Sequence, residues 1–392
     1  MLPEGAAWEA RRLHGDQGER ESPLLQKCRA LSSTRRRRLA VAPMICPLCH
    51  RTYDDPKQAF CTEDGSPLLD APPIVPRAPR TTGTAGAVVA GRYAIQGLIG
   101  KGGLSRVYVA EDSRTGELVA VKILHAELTR SRMVRERFLR EVEIAAQIGH
   151  PNIARILDHG EGKDRAPFLV LEYLRGEPLG ALLGRVGRVS EEMALNVVKR
   201  TASALAAAHA GGVVHRDVKP DNIFLVSDGS VLKVLDFGMA KLLEGAFTAI
   251  GLAVGTVPFM APEQAMADRI DGRADVYALG ITLYRMLAGR VPFAMKDDAI
   301  VLAHHLYVPM PRPSEAIPGL DPRIERVILA CTRKRPDNRY PSMRALLEDV
   351  GRILGERGGE LSAPEISVEP DVYAPENPIS KSAAQRLRTL VP

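Results

Sequence analysis

Apolar and polar residues alternate at period two along three stretches in the first third of the chain. They are YAIQGLIG (93–100), SRVYVAED (105–112) and ELVAVKIL (117–124). Alternation at this period is typical of half-buried β-strands. The polar stretch DSRTGE between the second and third predicts a tight turn that joins them. We therefore predict a small sheet in this part of the chain.

Beyond the third stretch the apolar period changes to that of a helix. A helix is predicted over about 131–148, with Phe138, Glu141 and Ala145 on one face. Ser190, followed by two glutamates, predicts the N-cap of another helix that runs to about His209. The rest is mostly helical in pattern. We expect a small β-rich lobe followed by a large α-rich lobe.

The globular pattern is continuous from Arg92 to about Glu356 and predicts one domain over 92–356. Four further segments follow from composition: a basic, disordered leader (1–43), a cysteine-containing module (44–70), a Pro/Gly/Thr linker (71–91) and a polar, disordered tail (357–392). Met44 directly precedes the cysteine cluster, so an alternative start of translation at Met44 is also predicted.

Charge and composition exclude several classes of protein. The net charge is +6, but residues 1–43 carry nine Lys/Arg against five acids, so the remainder is near neutral and no nucleic-acid partner is implied. No run of about 18 apolar residues predicts a membrane span. The first residues lack the apolar core of a signal peptide. Five cysteines, three of them clustered, do not suggest a disulfide scaffold. We expect a cytoplasmic protein.

Two charges fall on apolar faces. Lys122 shares a strand face with Ala120 and Leu124, and Glu141 is the charge in the apolar stripe of the predicted helix. A lone buried carboxylate is costly unless it is paired. We predict an ion pair between Lys122 and Glu141. A lysine at a strand edge whose ammonium reaches solvent is the alternative for Lys122.

The stretch VVHRDVKPDNIFLV (213–226) crowds charge between two apolar runs. Asn222 and Asp236 follow in loops at the ends of a predicted strand pair, and they offer hard oxygen ligands for magnesium. Asp217 could accept a proton from a hydroxyl, and Lys219 could neutralise a transferring phosphoryl group. The Gly-rich turn IGKGGLSRVY (99–108) could approach phosphates, although turn geometry explains its glycines equally well.

Several motifs occur together in one order. They are GKGGLSRV, VAVK with Lys122, the helix with Glu141, HPNI (150–153), LVLEYL (169–174), HRDVKPDN, DFG (236–238), APE (261–263), DVYALG (275–280) and the late Arg339. Over about 92–356 the chain resembles the eukaryotic-like, Hanks-type serine/threonine protein kinases of bacteria. The resemblance implies an α+β, bilobal kinase fold, here preceded by a small zinc-ribbon-like module.

The resemblance also implies roles for single residues. The Gly-rich loop would cover the phosphates of ATP, and it consists of Ile99, Gly100, Lys101, Gly102, Gly103, Leu104, Ser105, Arg106 and Val107. Val107 and Ala120 would line the adenine slot, and the backbones of Glu172 and Leu174 would bind adenine, with Leu171 as gatekeeper. Lys122, held by Glu141, would contact the α- and β-phosphates. Ser105 departs from the family pattern, which has a third glycine there.

The remaining roles concern catalysis. Asp217 would be the base, while Asn222 and Asp236 would hold Mg²⁺ or Mn²⁺. In this family Lys219 and Thr256 indicate serine/threonine substrates. Glu263 would pair with Arg339 as a structural contact.

A regulatory site is predicted in the segment before APE. Between Gly238 and Glu263 the hydroxyl side chains are Thr248 and Thr256. With Thr256 assigned to the substrate-docking loop, Thr248 is the predicted autophosphorylation site, and its phosphate could pair with Arg216. Autophosphorylation between chains would require self-association.

The cysteine cluster resembles a short zinc ribbon. Cys46, Cys49 and Cys61 would bind Zn²⁺ with Asp64 in place of a fourth cysteine, and His50 is an alternative ligand. A degenerate ribbon without metal, or reduced cysteines without a joint role, are the other interpretations.

Three functional hypotheses result. The first is an ATP- and Mg²⁺-dependent protein serine/threonine kinase of bacterial signalling that acts on protein substrates. The second is a kinase-like nucleotide-binding scaffold with low or partner-dependent catalysis. The third, a nucleic-acid-binding regulator, would depend on the ribbon and the RRRR run at 35–38.

Overall fold

The structure is a computed structural model of the 392-residue chain. It describes residues 44–45, 52–53, 69–70, 86–103, 105–125, 132–162, 165–226, 232–237, 255–355, 371–374, 381, 385, 387–389 and 391. All of them lie in the second of the two units into which the chain divides, residues 42–392.

The cysteine-containing segment contributes three two-residue strands. They are β1 (Met44–Ile45), β2 (Thr52–Tyr53) and β3 (Leu69–Asp70). Both β2 and β3 pair with β1 in antiparallel orientation, so β1 is central. The cysteines predicted to bind zinc, together with Asp64 and His50, lie outside the described residues.

Six strands form the β-lobe. They are β4 (Val88–Val89), β5 (Tyr93–Lys101), β6 (Ser105–Asp112), β7 (Leu118–Leu124), β8 (Ile156–Glu161) and β9 (Pro167–Glu172). Their order across the sheet is β4-β5-β6-β7-β9-β8, with every neighbouring pair antiparallel. The three strands predicted from period-two alternation are β5, β6 and β7. The predicted turn joins β6 and β7, where Gly116 has a φ of +71°.

One helix packs on this sheet. It is α1 (Arg132–Ala146), slightly shorter than the predicted span of 131–148. Phe138 and Val142 of α1 pack against Leu124 and Leu169 of the sheet. Glu141 is not the only charge near this apolar face, because Arg135 is buried and pairs with Glu161 of β8 at 3.2 Å.

The helical lobe begins after β9. Its helices are α2 (Leu179–Val186), α3 (Glu191–Ala210), α4 (Pro262–Ala265), α5 (Gly272–Ala288), α6 (Asp298–Tyr307), α7 (Pro313–Ala316), α8 (Pro322–Cys331) and α9 (Met343–Gly355). A small antiparallel sheet, β10 (Gly176–Pro178), β11 (Ile223–Val226) and β12 (Leu232–Val234), completes it, with β11 central.

Helix α5 is the central element of the helical lobe. Thirteen of its seventeen residues are buried, and α3, α8 and α9 all pack against it. The Asp271 side chain accepts the amide hydrogen bond of Arg273 at its start, and Gly289 ends it with a φ of +74°. At the start of α3, Ser190 Oγ accepts a hydrogen bond from Met193 N, so the predicted N-cap is confirmed.

The expected order, a small β-rich lobe before a large α-rich lobe, is confirmed. In the part of the chain that the structure describes, no helix is both long and apolar enough to span a membrane. The predicted disorder of residues 357–392 does not hold throughout. Residues 371–374 lie on the helical lobe, where Tyr373 is only 6% exposed.

Candidate active site

The side chain of Lys122 reaches from the β-lobe to Asp236. It lies on the central strand β7, paired with Val107 of β6 and Leu169 of β9, and it is 6% exposed. Its Nζ lies 2.7 Å from Oδ1 of Asp236, which follows β12. The alternation along β7 therefore predicted a buried lysine correctly, and the edge-lysine alternative is wrong.

The predicted partner of Lys122 requires a correction. Among the described residues its ion pair is with Asp236, and not with Glu141. The physical reason is local, because Asp236 has a φ of +64° and this left-handed backbone brings its carboxylate to the ammonium. Burial raises the pKa of Asp236, but the neighbouring Lys122 charge brings it below the ordinary value.

The charge of Glu141 contributes to the surroundings of Arg216. Burial lowers the pKa of Arg216, and the negative charges of Asp275 and Glu141 oppose that change. Glu141 is half-buried on α1. The negative charge of Glu141 thus bears on Arg216, the residue that the sequence assigned to a phosphate on Thr248.

Asp217 lies in the loop between α3 and β11, within a closed set of hydrogen bonds. Lys219 Nζ lies 2.9 Å from Asp217 Oδ1. The Thr256 hydroxyl donates to the same oxygen at 3.2 Å and accepts from Lys219 Nζ at 2.7 Å. Asn222 Nδ2 donates to the other carboxylate oxygen at 2.9 Å and to the Asp217 carbonyl at 2.7 Å. The carboxylate is therefore held in one orientation.

A second carboxylate holds the backbone of this loop. Asp275, fully buried in α5, accepts hydrogen bonds from the amides of His215 (2.9 Å) and Arg216 (2.7 Å) and contacts His209 Nε2 at 2.7 Å. Burial raises the pKa of Asp275, and the hydrogen bond with His209 and the charge of that imidazole more than offset the rise. Arg216 has a φ of +68°, which its partners must sustain. Sequence reasoning gave Asp275 no role, although it is an acid among apolar helix residues.

Asn222 and Asp236 lie close together, as predicted from the strand pair. Leu235 N donates to the Asn222 carbonyl at 2.9 Å, which joins the residues that precede Asp236 to Asn222. The Asn222 amide nitrogen is used by Asp217, which directs the amide oxygen elsewhere. One amide oxygen and one carboxylate suit Mg²⁺, which takes its remaining ligands from water and phosphate. Among the described residues, no group of three or more His, Cys, Asp or Glu is placed to hold a metal.

The Gly-rich turn connects β5 and β6. Gly102 N donates to the Ser105 carbonyl at 2.9 Å, and Lys101, Gly102 and Gly103 are exposed. Ser105, in the position of the family's third glycine, is buried and pairs with Leu124 of β7. The exposed glycines, which carry no Cβ, leave this turn open to the approach of an anion. Leu104 lies outside the described residues.

The residues that the resemblance assigns to adenine lie on or just after β6, β7 and β9. Val107 is half-buried on β6, while Ala120 of β7 is buried and pairs with Leu171 of β9. Glu172 closes β9, with its carboxylate bound to Lys233 Nζ at 2.8 Å and to Arg155 N at 2.8 Å. Leu174 follows in the irregular segment before β10.

The APE segment is tied to the rest of the helical lobe. Arg339 donates to both carboxylate oxygens of Glu263, at 2.7 and 2.8 Å, and both residues are almost fully buried. This confirms the predicted structural pair. Gln264, which the sequence did not single out, donates from Nε2 to the Arg216 carbonyl at 2.8 Å. The segment is thereby linked to the loop of Asp217. Thr248 and Gly238 lie outside the described residues.

Comparison with known proteins agrees with this geometry. A family model described as protein kinase domain matches residues 93–350. Serine/threonine-protein kinase Pkn1 of Myxococcus xanthus is 42% identical over 271 residues, which are 68% of this chain and 39% of Pkn1. Serine/threonine-protein kinase PknA of Mycobacterium tuberculosis is 40% identical over 277 residues, 69% of this chain and 63% of PknA. The chain thus matches less than two thirds of each relative.

Solved structures give the same result for the fold. The crystal structure of the Mycobacterium tuberculosis PknI kinase domain superposes with a TM-score of 0.56 at 26% identity. It covers 71% of this chain and all of that domain.

Proposed function

Because this chain belongs to the protein kinase family, with a catalytic domain of the bacterial serine/threonine type, we propose that it transfers the γ-phosphate of ATP to serine and threonine hydroxyls of proteins. The family implies ATP with Mg²⁺ or Mn²⁺ as cofactors. The observation that carries the proposal is the Asp217 carboxylate, oriented by Lys219, Thr256 and Asn222.

The chemistry follows from these contacts. A substrate hydroxyl that replaces the Thr256 hydroxyl at Asp217 Oδ1 gives its proton to the carboxylate as its oxygen attacks the γ-phosphorus. The bond from that phosphorus to the bridging oxygen breaks, and ADP leaves. Lys219, already beside Oδ1, offsets the negative charge of the transferring group.

Nucleotide binding uses the other residues of the cleft. The turn at Gly100, Gly102 and Gly103 covers the phosphates, and Lys122 exchanges its contact with Asp236 for the α- and β-phosphates. Asn222 and Asp236 would hold the magnesium ion, which supplies charge neutralisation at the phosphates when bound. Ala120 and the backbones of Glu172 and Leu174 receive adenine.

A second candidate is a domain whose catalysis depends on a partner. The Lys122–Asp236 ion pair supports it, since this lysine must change partner before it can bind phosphates. A partner that brings Glu141 to Lys122 would then control the activity.

The test is incorporation of γ-phosphate from ATP and Mg²⁺ into serine or threonine. Asp217→Asn should lower the rate by about 10²- to 10⁴-fold, the usual contribution of a general base. Asp221→Asn removes an exposed acid of the same loop and should leave the rate unchanged. Equal rates for Asp217→Asn and wild type would rule out the proposed base. Activity that appears only with cell extract would favour the second candidate.

Two finer proposals concern residues outside the described ones or contacts between chains. Zinc held by Cys46, Cys49, Cys61 and Asp64 is supported by their spacing. It predicts one zinc per chain in metal analysis, lost in Cys46→Ser. Autophosphorylation at Thr248 by a second copy predicts a phosphopeptide that contains Thr248, absent from Asp217→Asn.

We also propose that the protein acts in the cytoplasm on protein substrates.

A further inference from the structure

A short piece of the C-terminal segment is bound to the helical lobe through a tyrosine. Tyr373 packs in one cluster with Met266 and Leu306, and Tyr307 and Leu387 adjoin it. Met266 follows α4, and Leu306 is in the last turn of α6. Tyr373 is the only aromatic residue in 357–392. A single aromatic side chain therefore anchors the segment.

Polar contacts orient this anchor. The Tyr373 hydroxyl donates to Asp268 Oδ2 at 2.7 Å, and Asp268 is itself buried. The Tyr373 amide donates to the Leu306 carbonyl at 2.8 Å. This carbonyl belongs to the last turn of α6, where helix carbonyls have no acceptor role within the helix. Both ends of the residue are thus recognised, along with its ring.

A carboxylate two residues earlier provides a second contact. Asp371 Oδ1 accepts the amide hydrogen bond of Lys334 at 2.9 Å, and Oδ2 lies 3.9 Å from Arg333. Arg333 and Lys334 are both buried, so this negative charge is placed against two cations of low solvent exposure. The charge of the segment complements that of the surface beneath it.

From these contacts we infer that residues 371–373, Asp-Val-Tyr, form a docking motif, and that its receptor site lies between α4, α6 and residues 333–334. The occupant is the C-terminal segment of the same chain. An aromatic anchor in an apolar pocket, flanked by oriented polar contacts, is the usual composition of a binding hot spot. The inference concerns peptide binding and does not depend on phosphoryl transfer.

Competition between tethered and free peptide tests this site in the full-length protein. A fluorescein-labelled peptide of residues 366–392 is titrated with wild type and with Tyr373→Ala, and fluorescence anisotropy is measured. The tethered segment of the wild type competes at an effective concentration of about 1 mM. Tyr373→Ala should therefore bind the peptide at least about tenfold more tightly than wild type. Lys381→Gln, at an exposed position of the same segment, should behave as wild type.

The specificity of the site is tested with the peptide itself. A peptide that carries Tyr373→Ala should not bind either protein. Hydrogen exchange supplies an independent readout, because amides of 262–268 should exchange faster in full-length Tyr373→Ala while those of 105–112 stay unchanged. If Tyr373→Ala lacks a cooperative thermal transition, Asp371→Asn replaces it in both measurements. Equal binding by variant and wild type, or binding by neither, would overturn the inference.

Discussion

The carboxylate of Asp217 is held by neighbours from several elements. Asp217 is oriented by Lys219 and Asn222 of its own loop and by Thr256 from the segment before α4. Asp275 of α5 holds the amides just before it. The identities of Asp217, Lys219 and Asn222 could be predicted from their spacing. The role of Asp275 in holding this loop could not be predicted, since Asp275 lies some sixty residues away in sequence and reaches the loop only through the fold.

Lys334 gives stability a pH dependence. Burial lowers its pKa to about 7, against the opposing charge of Asp371, whereas in the unfolded chain it would be about 10.4. Between these values the unfolded state binds more protons, so stability rises with pH. From pH 6.5 to 8.5, wild type should gain about 2 kcal/mol relative to Lys334→Met. Urea unfolding at both pH values measures this difference.

The control for this experiment is Lys381→Met, which removes an exposed lysine. Its pH profile should run parallel to that of wild type. Parallel profiles for Lys334→Met and wild type would contradict the shifted pKa of Lys334.

Helix α1 and strand β7 show where prediction from sequence ends. Periodicity correctly placed Lys122 in a buried strand face and Glu141 on an inward-facing part of the helix. It could not assign partners, because the carboxylate that reaches Lys122 depends on the left-handed backbone of Asp236. Backbone torsions of a loop leave no periodic signal in the sequence. The burial of Arg135 was missed for a related reason, since its partner Glu161 lies on β8, which is distant from α1 in the sequence.

The observed pairing predicts which carboxylate stabilises the nucleotide-free protein. Asp236→Asn leaves the buried Lys122 without its counter-ion and should cost about 1–3 kcal/mol, less than for a fully buried pair because Asp236 is 28% exposed. Glu141→Gln should cost less. Thermal unfolding of both variants without nucleotide measures the difference. A loss for Asp236→Asn no larger than that for Glu141→Gln would contradict a stabilising role of the Lys122–Asp236 pair.

The lobes and their order could be predicted from the change of apolar period, from two to that of a helix, after β7. The bound piece of the C-terminal segment could not. Its composition is polar and rich in proline, which predicts disorder, and a single Tyr373 carries too little apolar signal to change that prediction. Only the complementary surface at Met266, Leu306 and Asp268 makes it a binding segment.

The Glu263–Arg339 pair links distant parts of the helical lobe and should be a major determinant of its stability. Arg339 also donates to the carbonyls of Arg333, Lys334 and Arg273. Arg339→Lys cannot make this set of contacts and should cost about 3–5 kcal/mol, which lowers the melting temperature by about 10 °C. Differential scanning fluorimetry measures this change.

The matched control is Arg344→Lys, which alters an exposed pair with Glu348 within α9. It should shift the melting temperature by less than about 2 °C. Equal shifts for the two variants would show that burial of the Arg339 pair contributes little.

The position of the Thr256 hydroxyl bears on whether ATP would be lost to hydrolysis by water. It donates a hydrogen bond to the Asp217 oxygen that would otherwise be open to water, and it accepts one from Lys219. If Asp217 is the base, as proposed, a water molecule must displace this hydroxyl before Asp217 can activate it. A bound protein can do so with the binding energy of its whole docking surface, whereas a water molecule has only its own hydrogen bonds. For the proposed kinase, the arrangement would therefore disfavour hydrolysis of ATP by water and favour transfer to a hydroxyl that arrives on a protein.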